Sequence, residues 1–301
     1  MTPSGQTTQF TQRQARAALV KAIKAQDMSA IDHLITTYPS VLNAKNAHHN
    51  TPLSEAIGTG NLAMVQLMVD AGADPTNINH GGSGLVGGAL YGGYHDIAHY
   101  LIEQGAPVTF AELAACQTPA QLSDYLDQHP KAMEDSAISA RRMTPLHLAA
   151  LAGHLPGVDW LLSHGMDPES PDRHGHTALA TTPECQLAEK RCAIASRLLA
   201  AGANPNVPGG HHGGTVLDRA IIAGDRDLSA LLLDAGANPD HQDWSGKTAL
   251  HHAVNRNAEL TRLVLSHQPV TSTMAKNGET AVAMARRLNK HAVIRCFETV
   301  T

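Results

Sequence analysis

Histidine has the most chemistry to offer in this chain of 301 residues, and there are nineteen of them. Six stand as adjacent pairs: His48-His49, His211-His212 and His251-His252. A metal needs ligands that converge, whereas neighbours in an extended segment point to opposite sides, so a pair of this kind does not chelate. No His-Glu-x-x-His is present, and none of the four cysteines (Cys116, Cys185, Cys192, Cys296) stands in a Cys-x-x-Cys pair. No metal site is expected. Cys185 and Cys192, seven residues apart, would share a helical face but lie too far apart to bridge, so they are expected to pack. Sparse, unpaired cysteine fits a reducing cytoplasm. Serine is common, yet no Gly-x-Ser-x-Gly elbow or other nucleophile–base pairing appears, so catalysis is not expected. The glycine-rich stretch at 81–93 could cradle a phosphate, but no strand precedes it and no Gly-Lys-Ser/Thr follows, so no cofactor is expected.

The elements that position these residues show first in composition. Hydrophobic residues make up 43% of the chain but aromatics only 3%. A core filled by alanine and leucine suggests thin, closely stacked helical layers. The formal charge of −5 argues against a general basic footprint for nucleic acid. Residues 1–14 hold no apolar stretch of signal-peptide length, and no later segment reaches a membrane span. A cytoplasmic protein is expected.

An internal repeat organises the chain. Thr51-Pro52-Leu53 leads on to Gly72-Ala73-Asp74-Pro75, and Thr144-Pro145-Leu146-His147-Leu148-Ala149 to Gly165-Met166-Asp167-Pro168. Thr177-Ala178-Leu179 leads to Gly202-Ala203-Asn204-Pro205, Thr215-Val216-Leu217 to Gly236-Ala237-Asn238-Pro239, and Thr248-Ala249-Leu250-His251-His252-Ala253 follows. Thr144 to Thr177, and Thr215 to Thr248, are each 33 residues. A period of 33 carrying Thr-Pro-Leu-His-x-Ala resembles the ankyrin family.

The local physics agrees with that resemblance. Threonine and proline start a helix. Gly60, Gly93, Gly153 and Gly224 are placed to stop it, with Asn257 in the same place of a later repeat. A second helix carries Leu62, Val65 and Met68; Leu155, Val158 and Leu161; Leu228, Leu231 and Leu232; Leu260, Leu263 and Val264 at helical spacing. The fold expected is an all-α repeat solenoid of helix-turn-helix units with short hairpin-like fingers. About nine units would fill residues 15–300 after a tail at 1–14. Degenerate units fall at 15–45 and 109–137, an insertion near 183–191 and a polar C-terminal cap at 275–300. Gly87 and Gly88 fall inside a first helix, where each costs roughly 1 kcal/mol against alanine. A close neighbour or a depression that admits a partner side chain would compensate. His147 and His251 are expected to hydrogen-bond adjacent units.

The resemblance implies a binding role, with ligands meeting the finger tips and the exposed side of the first helices. Counting back from each threonine places His48, His80, Arg141, Arg173, His174, His211, His212 and Trp244 at the tips, where no carboxylate occurs. The exposed ends of first helices add Tyr91, Ile222, Asn255 and Arg256, with Arg219 and His252 one turn earlier. The reading is a histidine- and arginine-rich edge that docks an acidic protein partner, with Trp244 as an anchor. The function expected is an adaptor or inhibitor, monomeric when unbound, that binds neither nucleic acid nor membrane. Its sharpest form is an immunity protein that neutralises a cognate toxin or enzyme. A general scaffold, a host-directed effector, or an enzyme with its site in the repeat groove are the alternatives.

Overall fold

The computed structural model describes residues 10–78, 84–133, 141–210 and 212–298. The chain divides into two compact units, Met1–Thr109 and Phe110–Thr301. The first holds three helix pairs: α1 (Gln12–Lys24) with α2 (Met28–Thr37), α3 (Pro52–Ile57) with α4 (Leu62–Asp70), and α5 (Leu85–Tyr91) with α6 (His95–Glu103). The second holds six. They are α7 (Phe110–Ala114) with α8 (Pro119–Gln128), α9 (Pro145–Leu151) with α10 (Leu155–Ser163), and α11 (Ala178–Thr181) with α12 (Ala188–Ala200). Then come α13 (Val216–Ala223) with α14 (Arg226–Asp234), α15 (Ala249–Arg256) with α16 (Ala258–Leu265), and α17 (Ala281–Arg287) with α18 (His291–Glu298). Among the described residues strand pairing is limited to isolated antiparallel bridges such as Gly209 to Gly214 and Met274 to Thr280, at the fingers.

The threonines begin helices as their spacing predicts. Thr144 caps α9: its hydroxyl accepts from the His147 amide, and Pro145 fills the first turn. Gly60, Gly93, Gly153 and Gly224 all adopt positive φ. Asn257 does not. Its φ is −160°, and its side chain accepts from the Leu260 amide to cap α16. In the preceding repeat Gly224 turns the chain and Asp225 caps the next helix. Here one asparagine ends the turn and caps, so α16 starts one residue earlier in the register. The second helices bury Val65, Met68, Val158, Leu161, Leu228, Leu232, Leu260 and Val264. Leu62, Leu155, Leu231 and Leu263 stand half-exposed at the edge of that stripe.

Polar staples join several neighbouring repeats within each unit. His147 is fully buried. Its Nδ1 accepts from the Thr144 hydroxyl at 2.7 Å, and its Nε2–H donates to the His176 carbonyl of the next finger at 2.8 Å. His251 does the same with Thr248 and the Glu279 carbonyl, at 2.9 and 3.1 Å. Asn206 donates to the Gly236 carbonyl and accepts from the Asn238 amide, and Asn43 repeats this with Gly72 and Asp74 in the first unit. In the second unit the fingers ladder through backbone bonds. The Arg173, Gly210, Trp244 and Lys276 amides donate to the carbonyls of Arg141, His174, His212 and Ser245, each at 2.8–2.9 Å.

The four extra residues of the Thr177 unit lie in its second helix, not between its helices near 183–191 as expected: α12 starts eleven residues after Thr177, as α10 does after Thr144. Helix α11 is four residues long and runs into a 3₁₀ turn at Thr182–Glu184. Helix α12 spans thirteen residues, against nine for α10. Cys185 is buried beside Gly153, where an added Cβ would meet its sulfur at 3.3 Å. Arg191 ties the loop down, donating to the Cys185 carbonyl at 2.8 Å and to Asp225 at 2.9 Å. Burial pushes the Cys185 and Cys192 thiols up, which favours their protonated form.

Candidate functional site

In the second unit the fingers and first helices enclose a cleft of about 420 Å³. Five of the residues placed on the edge from sequence line it: Arg141, His174, His212, Arg219 and His252. Ile222 also lines it and remains 51% exposed. Arg173 and Trp244 adjoin it through the finger ladder. Trp244 lies over Gly213, where an added Cβ would come within 2.3 Å of the indole nitrogen, yet it is 64% exposed. The ring packs on the neighbouring finger and presents its other surface to solvent.

Asn255 and Arg256 do not line the cleft. Asn255 and Arg256 are exposed at the end of α15. Arg256 reaches back over Gly224 to donate to the Ala223 carbonyl at 2.9 Å, a cation at a helix C-terminus. Lys290 donates to the Val254 and Asn255 carbonyls, so the C-terminal pair closes onto the same helix end. His48, exposed, and Tyr91, half-buried, belong to the first unit. His80 and His211 lie outside the described residues.

The electrostatics depart from a uniformly basic edge. Tip positions hold no carboxylate, but the residue that opens the finger does. Asp172 stands five residues before Thr177, and Asp243 five before Thr248. The Asp172 carboxylate accepts from the His174 and His176 amides, and that of Asp243 from the Ser245 and Lys247 amides. These bonds shape the finger and hold acid beneath it. Arg141 then pairs with Asp172 at 3.1 Å and with Glu184 at 2.9 Å. Arg219 pairs with the other Glu184 oxygen, and its Nη1 donates to His176 Nε2 at 2.7 Å. Two guanidinium groups and two carboxylates therefore cancel inside the cleft. This corrects the expectation that Arg141 and Arg219 offer uncompensated positive charge.

The shifts follow from these contacts. Burial pushes the Glu184 carboxyl up, but the bonds and charges of Arg141 and Arg219 outweigh it and hold it below its ordinary value. Asp172 is likewise held low, against its burial, by the His176 and His174 amides and the neighbouring positive charges. His176 is lowered by burial and by Arg219, so it stays neutral near pH 7. Since Arg219 donates to Nε2, the His176 proton sits on Nδ1, facing Asp172 Oδ2 at 3.5 Å. His252 Nε2–H donates to Asp243 Oδ2 at 3.1 Å.

Asp218 lines the cleft and is 2% exposed. It occupies the slot that holds His147 and His251 in sister repeats, three residues after the threonine. Its carboxylate accepts from the Thr215 amide at 2.8 Å and hydroxyl at 3.1 Å. Burial pushes its carboxyl up, against the Thr215 bonds and the charges of His252 and His241.

Sequence reasoning missed Glu184, Asp218, Asp172 and Asp243. The signal was in the register: Glu184 follows Thr177 by seven residues, as Ile222 follows Thr215 and Asn255 follows Thr248. Treating 183–191 as an insertion hid it. In the first unit a smaller depression of about 250 Å³ is lined by Asn50, Ser54, Glu55 and Gly88, among others. An added Cβ on Gly88 would meet nothing within 4 Å. Of the two expected compensations for Gly88, the depression is the one observed. Residues 81–83 of the glycine-rich stretch lie outside the described residues. Among the described residues no three histidine, cysteine or acidic side chains converge on a metal position, and no helix is long and apolar enough to cross a membrane.

Family models match three stretches: an ankyrin repeat at 48–80, ankyrin repeats in many copies at 137–181, and ankyrin repeats in three copies at 217–297. The chain is similar to the putative ankyrin repeat protein L371 of Acanthamoeba polyphaga mimivirus, at 34% identity over 109 residues, 36% of this chain and 14% of that one. It is similar to the B-cell lymphoma 3 protein homolog of Mus musculus, at 32% over 149 residues, 48% of this chain and 32% of that one. Protein PhlB of Serratia liquefaciens is 34% identical over 154 residues, 50% of this chain and 66% of that one. The chain thus spans less than two thirds of the length of each of these relatives. The 33-residue register, the capped helix pairs with their laddered fingers and the matched stretches agree: the chain belongs to the ankyrin-repeat family.

Proposed function

We propose that the chain is a protein-binding adaptor or inhibitor whose contact surface is the finger and first-helix side of the second unit. The observation that carries this reading is Trp244, 64% exposed on a laddered finger. It stands beside a cleft that also presents the half-exposed Ile222. An aromatic anchor next to a depression, ringed by polar side chains, is the arrangement in which a few residues carry most of the binding energy. The partner is a protein acidic around its contact, met by Arg173, His174 and His212 at the tips. Arg141 and Arg219 serve as cleft walls rather than donors, because Asp172 and Glu184 already engage them. The protein acts inside a cell, where its four free thiols stay reduced. Neutralisation of a toxin or enzyme is the narrower form of this role, since a protruding tryptophan can occupy a partner's pocket.

The test is capture of partners from the native cell with wild type, Trp244→Ala and Arg173→Glu chains, followed by affinity measurement at low and moderate salt. Trp244→Ala should weaken binding by about 2 kcal/mol, roughly thirtyfold. Arg173→Glu should act mainly on association and in a salt-dependent way. Equal binding by all three chains at both salts would place the contact on another surface.

A further inference from the structure

The cleft floor carries a second, opposite demand. With the two arginines engaged by Glu184 and Asp172, the carboxylates left facing the cavity are Asp243 and Asp218, with the His252 imidazole beside them. Asp243 shares its proton-bearing neighbour His252. Asp218 receives hydrogen bonds from its own repeat's Thr215, and among the described residues no cationic side chain bonds it. A buried carboxylate that no arginine or lysine bonds is costly to keep charged. His147 and His251 donate from the same slot to the carbonyl before the next threonine, whereas the Asp218 side chain bonds its own repeat's Thr215 instead. The acid forgoes an inter-repeat staple and faces a cavity instead. Gly209 and Gly210 roof this cavity and allow His176 beneath them: Cβ atoms there would lie 2.5 and 2.6 Å from its ring.

We propose that the cleft receives one basic side chain of the partner protein, an arginine or lysine, with its head towards Asp218 and Asp243 and its stem along Ile222. The inference rests on the concave-face reading above and adds a specific anchor to it. A guanidinium or ammonium supplies a permanent cation that, among the described residues, no arginine or lysine of the chain places on Asp218, and an aliphatic stem covers the exposed isoleucine, as long basic side chains do. The cavity of about 420 Å³ holds one such side chain with room for water. The acidic surface of the partner then surrounds a single basic residue, meeting tips of the opposite sign around an acidic floor.

The probes are three capped pentapeptides, Ac-Gly-Leu-X-Leu-Gly-NH₂, with X arginine, citrulline or glutamate. They are titrated into the ¹⁵N-labelled full chain while the amide resonances of Gly209, Gly210 and Gly214 are followed. Citrulline keeps the shape of arginine and removes its charge. The arginine peptide should move these resonances to saturation, with citrulline weaker by about tenfold or more and glutamate without effect. Asp218→Asn and Asp218→His should each weaken the arginine peptide by about tenfold and leave the citrulline peptide unchanged. The histidine variant guards against loss of fold, because the sister repeats carry histidine in this slot. Equal binding of arginine and citrulline peptides, or wild-type affinity in Asp218→His, would overturn the inference. Movement of the same glycines by the glutamate peptide would also overturn it, while leaving the concave-face reading in place. So would no movement with any peptide, in which case capture with Trp244→Ala still judges the contact surface on its own.

Discussion

Replacing Glu184 by glutamine tests the charge arrangement of the cleft most directly. One carboxylate serves two arginines, Arg141 at 2.9 Å and Arg219 on the other oxygen, from a side chain 33% exposed. Glutamine keeps the shape and one acceptor but removes the charge that both guanidinium groups share. Exposed ion pairs are worth about 0.2–1 kcal/mol each, and breaking fully buried ones costs about 3–5. A half-buried carboxylate with two partners falls between, at about 2 kcal/mol. For a unit of this size that is a fall in Tm of about 4–8 °C. The assay is thermal unfolding of the full chain, followed by far-UV circular dichroism at neutral pH. Acidification supplies the second reading. Glu184 and Asp172 are both held below their ordinary values, so their stabilisation is complete above the unfolded carboxylate pKa of about 4. It disappears as pH falls through their folded values. Glu184→Gln should therefore flatten the acid limb of the stability curve. A Tm within about 1 °C of wild type, with an unchanged acid limb, would refute the clamp and make Glu184 a solvated bystander.

Other outcomes follow from the same geometry. His147→Ala should cost about 3 kcal/mol, since it removes the bond to the next finger and leaves the His176 carbonyl with the Asp172 amide alone, weakens the Thr144 cap and opens a cavity; the exposed His48→Ala should be silent, and comparable urea midpoints for the two would contradict the staple. His147, His176 and His251 are each lowered, first by burial. The unfolded chain therefore binds their protons first, and stability should rise between about pH 5 and 7; a fall over that range, seen in urea titrations, would reverse the assignment. Gly210→Ala meets both a φ of +72° and a Cβ 2.6 Å from His176 Nε2. It should destabilise by more than about 1 kcal/mol and disturb the His176 ring signals by NMR, whereas Gly236→Ala, with nothing within 4 Å, should cost only its backbone strain.

The repeat and its local mechanics were legible in the residues themselves. Thr144-Pro145 starts α9, Gly153 ends it, and His147 reaches the next finger, all from chemistry confined to one period or its neighbour. Helix caps and left-handed turns depend on atoms a few residues apart, so spacing alone determined them. The row Arg141, His174, His212, Arg219 and His252 was placed together for the same reason, because register fixes which face a residue occupies. Its charge was not legible. The sign of an edge depends on which carboxylates the stacked repeats bring within about 3–4 Å, and Glu184 reaches Arg141 across 43 residues and Arg219 across 35. No one-dimensional count along the tips contains that meeting. Nor does it show that Asp218, conservative as a helix-capping residue, faces a cavity with no arginine or lysine bonded to it among the described residues. Those two facts decide what the cleft can bind, and both arise from packing one repeat against the next.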